Sequence, residues 1–78
     1  MQKFTICVIG DDARQAYLAE YLEKEGMLVH THADWNPAYL ENCDLLIGPV
    51  GFYKNGELLP DVHKACEQYH VPILNYMS

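Results

Sequence analysis

Apolar runs and amphipathic stretches take turns along this chain, and their alternation is its main structural signal. Lys3-Phe4-Thr5-Ile6-Cys7-Val8-Ile9 is almost continuously apolar and β-branched, the pattern of a central parallel strand covered on both faces. Gly10 breaks the run, and Asp11 or Asp12 offers a carboxylate to cap the helix that follows. From Ala13 to Glu25 the spacing becomes helical, with Leu18, Ala19 and Leu22 on one stripe and Glu20, Glu23 and Lys24 facing water. Gly26 supplies the stop. Met27 to His32 reads as a second strand, Asp34-Trp35-Asn36-Pro37 as a loop, and Pro37 opens a short helix through Asn42. Asp44 to Ile47 is a third strand, stopped by Gly48-Pro49. The Asn55-Gly56 pair, with apolar residues on either side, predicts a tiny hairpin with a type I′ turn. Pro60 starts a last helix to about Tyr69, with Val62, Ala65, Cys66 and Tyr69 at helical spacing. Val71 to Tyr76 is the fourth strand, and Pro72 near its start places it at a sheet edge.

Strands alternating with helices over short connections predict an α/β fold. The expected architecture is a single three-layer domain over 1–78, with a parallel four-stranded sheet of flavodoxin/Rossmann-like type and strand order 2-1-3-4. Seventy-eight residues leave no room for a second domain. A chain of this size buries only about 60% of its unfolded surface, so its core is thin and pairing with a second copy is a natural way to complete it. Half of the residues are apolar and six are Tyr, which suits a packed globule.

Charge narrows the range of partners. Eleven acidic residues against five basic ones give a formal net charge of −6, and Lys3, Arg14, Lys24, Lys54 and Lys64 are scattered rather than clustered. Nucleic-acid binding needs a basic stripe, and an anionic membrane surface is disfavoured by the same charge. No stretch approaches the roughly 20 apolar residues that span a bilayer, and nothing resembles a signal peptide, so the expected location is the cytoplasm. Cys7, Cys43 and Cys66 are odd in number and contain no CxxC, which fits reduced, buried thiols.

In such sheets ligands bind at the carboxyl ends of the strands, where the winding reverses. Order 2-1-3-4 puts that crevice between the loop after strand 1 and the loop after strand 3. Its candidate ligand-binding residues are Gly10, Asp11, Asp12, Arg14, Gly48, Pro49, Val50 and Gly51. A dinucleotide site would need a G-x-G-x-x-G turn, and after Gly10 its later glycine positions hold Asp12 and Gln15. A phospho-receiver site would use the Asp11-Asp12 pair, but Gly48-Pro49 stands where its acceptor Asp should close strand 3. His30 and His32 share one strand face and Asp34 follows them, yet two histidines alone do not make a metal site. His63 and His70 read as solvated. No Ser or Cys has an evident base beside it in sequence. No cofactor, no metal and no catalytic residue is therefore expected. Arg14, the one basic residue near the crevice, can pair with a carboxylate or phosphate, or equally with Asp11 or a neighbouring acid.

The string Ile6-Cys7-Val8-Ile9-Gly10-Asp11-Asp12-Ala13-Arg14-Gln15 resembles the start of the N-terminal domain of the dipicolinate synthase A family, and Asp12-Ala13-Arg14-Gln15 is its specific part. Asp44 to Val50 is similar to that domain's later strand, which ends in a Pro-Val turn before a Gly-containing hairpin. Ile73-Leu74-Asn75-Tyr76-Met77 is loosely similar to a strand near its end. In that family a second domain with a glycine-rich loop carries the NADP-dependent oxidation. The resemblance implies a shortened, stand-alone relative of the non-cofactor domain, from a sporulation-associated pathway or a descendant of it, without the oxidation itself. It also implies that Gly10, Asp12, Arg14, Pro49 and Val50 line the face that meets substrate and cofactor domain.

Two functions compete on these readings. In the first, a non-catalytic domain forms a homodimer through the apolar edge strand, with Val71, Ile73, Leu74 and Tyr76 as interface residues, and docks on a cofactor-bearing protein. In the second, the Gly10–Arg14 turn binds or senses a small carboxylate ligand. An enzyme assembled between two chains, with Tyr53 or a histidine contributed across the interface, is a third.

Overall fold

A computed structural model of the chain describes residues 3–75. Among these, β1 (Thr5–Ile9), β2 (Leu28–His32) and β3 (Leu45–Gly48) are followed by a small hairpin, β4 (Tyr53–Lys54) and β5 (Glu57–Leu58), and then by β6 (Ile73–Asn75). Four of these strands form one parallel sheet in the order β2-β1-β3-β6. That is the expected 2-1-3-4 arrangement. The helices α1 (Ala13–Lys24) and α2 (Pro60–Tyr69) lie on opposite faces, giving an α/β domain of Rossmann-like type.

The layering follows from strand alternation. On one face Ile6, Val8 and Ile47 are buried under Leu18 and Leu22 of α1. On the other, Cys7, Ile9 and Leu46 meet Leu40, Phe52, and Val62 and Ala65 of α2. Each buried aliphatic side chain contributes about 1.5–3 kcal/mol relative to exposure. Because β1 is buried from Ile6 to Ile9, its sequence shows no polar alternation.

Several boundaries differ from expectation for physical reasons. The helix expected over Pro37 to Asn42 is a single 3₁₀ turn, Pro37–Leu40, capped by the Asn36 side chain. Gly48 does not break β3 but ends it. It is buried, and a Cβ there would lie 2.5 Å from the Phe52 ring, so only glycine lets that ring close over the strand. The expected hairpin is present, with Asn55 at φ 55° and Gly56 at φ 80° between β4 and β5, the two left-handed residues of a type I′ turn. Within the last expected strand, Val71 precedes β6 and is buried in the core, 3% exposed, so it cannot serve as an interface residue. Tyr76 lies outside the described residues. No helix among those residues is long and apolar enough to cross a membrane.

Candidate functional site

The parallel sheet brings the loops after β1 and β3 to one rim. Gly10, Asp11, Asp12, Arg14 and Gln15 face Pro49, Val50 and Gly51 across a cavity of about 310 Å³. Seven of the eight candidate ligand-binding residues therefore share one depression. Gly48 is the exception, turned toward Phe52.

The β1 loop is built around Gln15, which reads in sequence as one more polar helix residue. Its side chain is buried, 5% exposed. Its Nε2 donates to the Ile9 carbonyl at 3.0 Å, and its Oε1 accepts from the Asp12 N–H at 3.0 Å. The Asp12 side chain completes the reciprocal capping box by accepting from the Gln15 N–H, and its Oδ1 also accepts from the Arg14 N–H at 2.9 Å. The cap is thus Asp12, not Asp11. Gly10 sits at φ 137°, with its N–H donating to the His32 carbonyl at 2.8 Å, which ties the end of β1 to the end of β2.

Electrostatics at this turn are largely internal. The Arg14 guanidinium donates to Asp12 Oδ2 from Nη2 at 3.0 Å and from Nε at 3.3 Å. These side-chain bonds, then the bond from the Arg14 N–H, hold the Asp12 carboxyl below its ordinary range. Asp11 adds a second carboxylate to the same rim. The Arg14 N–H, which could otherwise face an anion at the helix start, is taken by Asp12. Any carboxylate or phosphate entering here has to compete with Asp12 for the guanidinium.

The other sequence candidates are arranged differently. His30 and His32 share a face of β2, but His32 stacks on Tyr39 with ring centroids 3.7 Å apart, and Asp34 accepts from the Tyr39 hydroxyl at 3.1 Å. Among the described residues, no group of three or more His, Cys, Asp or Glu is placed to hold a metal ion. His63 is exposed and lies 3.1 Å from Glu67, and exposed His70 closes α2 in the left-handed conformation. Leu74 is exposed on the outer strand β6, and Ile73 is partly buried against the core.

Two features are not foreseen from the sequence. Beyond the wall made by Pro49 and Gly51 lies an apolar hollow of about 590 Å³ lined by Trp35, Phe52, Leu59 and Pro60. Trp35 and Phe52 meet edge to face at 5.2 Å, and Trp35 Nε1 is buried with no hydrogen-bond partner among the described residues. A signal for it exists, since both aromatics fall in loops after strands and hence at this rim. The second feature is that the three cysteines, far apart in sequence, pack around one core.

No protein-family model, curated protein or solved structure matches the chain.

Proposed function

We propose that this domain works by binding rather than catalysis, pairing with a second copy through β6 and docking in that form on a cofactor-bearing protein in the cytoplasm. The exposed edge of β6 carries this reading. Leu74 lies beside Ile47 on the face that α1 covers over β2 and β1, and there it is 57% exposed. The Leu46 N–H donates to the Pro72 carbonyl at 3.0 Å, so in a parallel ladder Pro72 and Leu74 face β3. The Ile73 N–H and carbonyl then point outward, as a template for another strand. The opposite edge, β2, presents polar His30 and Thr31 beside an exposed Leu28. Two β6 strands related by a twofold axis would continue the sheet across both copies. The likeness of Ile6 to Gln15 and of Asp44 to Val50 to the non-cofactor domain of the dipicolinate synthase A family supports the same reading, including a sporulation-associated setting.

An interface built on so short an edge is small, and we expect a dimer with a dissociation constant of roughly micromolar order. Leu74→Lys should weaken it at least about tenfold, because a charge at a pairing edge is costly to bury. Sedimentation equilibrium measures this, with circular dichroism to confirm that the fold is retained. A wild-type chain that stays monomeric at hundreds of micromolar, or a variant that dimerises as before, defeats the proposal.

The carboxylate-binding reading is second. Its support is the Arg14 side chain on the wall of the crevice. Since a ligand must take the guanidinium from Asp12, Asp12→Asn should enlarge the rise in melting temperature caused by pyridine or aliphatic dicarboxylates. Should neither protein respond to any of them, this reading fails.

A further inference from the structure

The apolar hollow beyond Pro49 and Gly51, of about 590 Å³, is lined by neither β6 nor Arg14. Its size falls within the roughly 300–1,000 Å³ of small-molecule pockets, and it shares their make-up of apolar walls with very few polar groups. Three parts of the chain build it: Trp35 from the loop after β2, Pro49 and Phe52 from the turn after β3, and Leu59, Asp61 and Val62 from the start of α2. Phe52 and Val62 are core residues, 7% and 1% exposed, so their part of the wall is fixed before any ligand arrives. Trp35 packs against the same core and meets Phe52 edge to face. Among the described residues that line the hollow, Asp61 alone is ionisable, and it is exposed. We propose that the hollow binds a small organic monocation, a protonated amine carried on an aromatic or branched aliphatic body, with the body against Trp35, Phe52 and Leu59 and the ammonium beside Asp61.

Charge selects this class of ligand. Among the described residues Asp61 forms no ion pair, and Lys64, three residues on, lines a neighbouring depression that shares Trp35 and Asp61 without pairing with that carboxylate. The formal net charge of −6 adds a weaker attraction for any cation approaching the molecule. The aromatic walls favour the same sign, since a ring face attracts a cation within about 6 Å. Because Asp61 is exposed, an ammonium beside it keeps part of its hydration, and its desolvation cost stays small. A neutral ligand of the same shape keeps the apolar contacts and loses the carboxylate, and an anion meets a like charge. Asp61 also lies in the first turn of α2, where a carboxylate complements the helix dipole. A carboxylate confined to that role would leave the hollow without a preference for cations.

Trp35 is the only tryptophan in the chain, so its fluorescence, excited selectively over the six tyrosines, reads this hollow directly. Three probes on one skeleton test the proposal with the whole chain at neutral pH: phenethylamine as the cation, 2-phenylethanol as the neutral form and 3-phenylpropionate as the anion. Phenethylamine should change the Trp35 signal saturably, with a dissociation constant of roughly 0.1–1 mM. It should bind about two- to fivefold tighter than the alcohol, with the acid weakest. Amide resonances of Phe52 and Val62 should shift while those of Gly10 and Arg14 stay in place, which separates this site from the crevice. Asp61→Asn should remove the advantage of the amine over the alcohol, and Asp61→Lys should reverse the order of amine and acid, with circular dichroism to show that both variants are folded. No saturable change with any probe, an alcohol or acid that binds the wild type as tightly as the amine, shifts confined to Gly10 and Arg14, or an amine preference that survives Asp61→Asn would each overturn the proposal.

Discussion

Leu40→Ala is expected to lower the stability of the fold by about 3–4 kcal/mol, a large part of the total for a domain this small. Leu40 is 0% exposed and closes the 3₁₀ turn Pro37–Leu40, where it meets the cluster containing Cys7, Leu46, Val62 and Ala65. The turn is short, held by Pro37, the Asn36 cap and the bond from the Glu41 N–H to the Ala38 carbonyl at 3.2 Å. It has little freedom to collapse into the space left by the lost methyl groups, which places the cost in the upper part of the range for such changes. Urea denaturation should show a lower midpoint with an unchanged slope, and the melting temperature should fall by about 12–32 °C. Tyr17→Ala is the contrast: its side chain is 76% exposed, and its removal should change stability by about 0.5 kcal/mol or less. A Leu40→Ala protein within about 1 kcal/mol of wild type would mean that the 3₁₀ turn is not part of the core.

Leu40 also shows what a sequence of this kind hides. The strands and the two long helices are legible because each repeats its pattern over several residues, and the parallel order follows from their alternation. A four-residue turn has no period, so its one buried leucine looks like any other. Gln15 is hidden for the opposite reason: it fits the helical pattern as a polar residue, and only the approach of Ile9 and Asp12 reveals it as buried. The rim shared by Gly10 and Pro49 could be placed from topology alone, since all strands of a parallel sheet end on the same side. Which partner Arg14 takes could not, because Asp11 and Asp12 both lie within reach a few residues before it and the choice is made by the capping geometry. The grouping of Cys7, Cys43 and Cys66 depends on the register of β1 against β3 and on how α2 packs, neither of which a spacing rule contains.

Gly10→Ala should cost about 3–5 kcal/mol, from two sources that can be separated. The first is conformational: at φ 137° an L-residue is strained, at about 1–3 kcal/mol. The second is steric, because a Cβ at this position would overlap the Gln15 amide. Moving that amide breaks its bonds to the Ile9 carbonyl and the Asp12 N–H, and a buried polar group left unpaired costs about 1–3 kcal/mol. Gln15→Ala removes the obstacle together with the bonds, so in that background Gly10→Ala should cost only the conformational part. The double-mutant cycle should therefore show a coupling of about 1–3 kcal/mol between the two positions, measured by denaturation. Additive losses would show that the amide does not hold the turn. Because the turn leads from β1 into α1 while the proposed pairing edge is β6, on the far side of β3, the two proposed functions should also come apart. At a temperature where Gly10→Ala remains folded, its self-association should match wild type, even though the crevice formed by Asp12, Arg14 and Pro49 has lost its support.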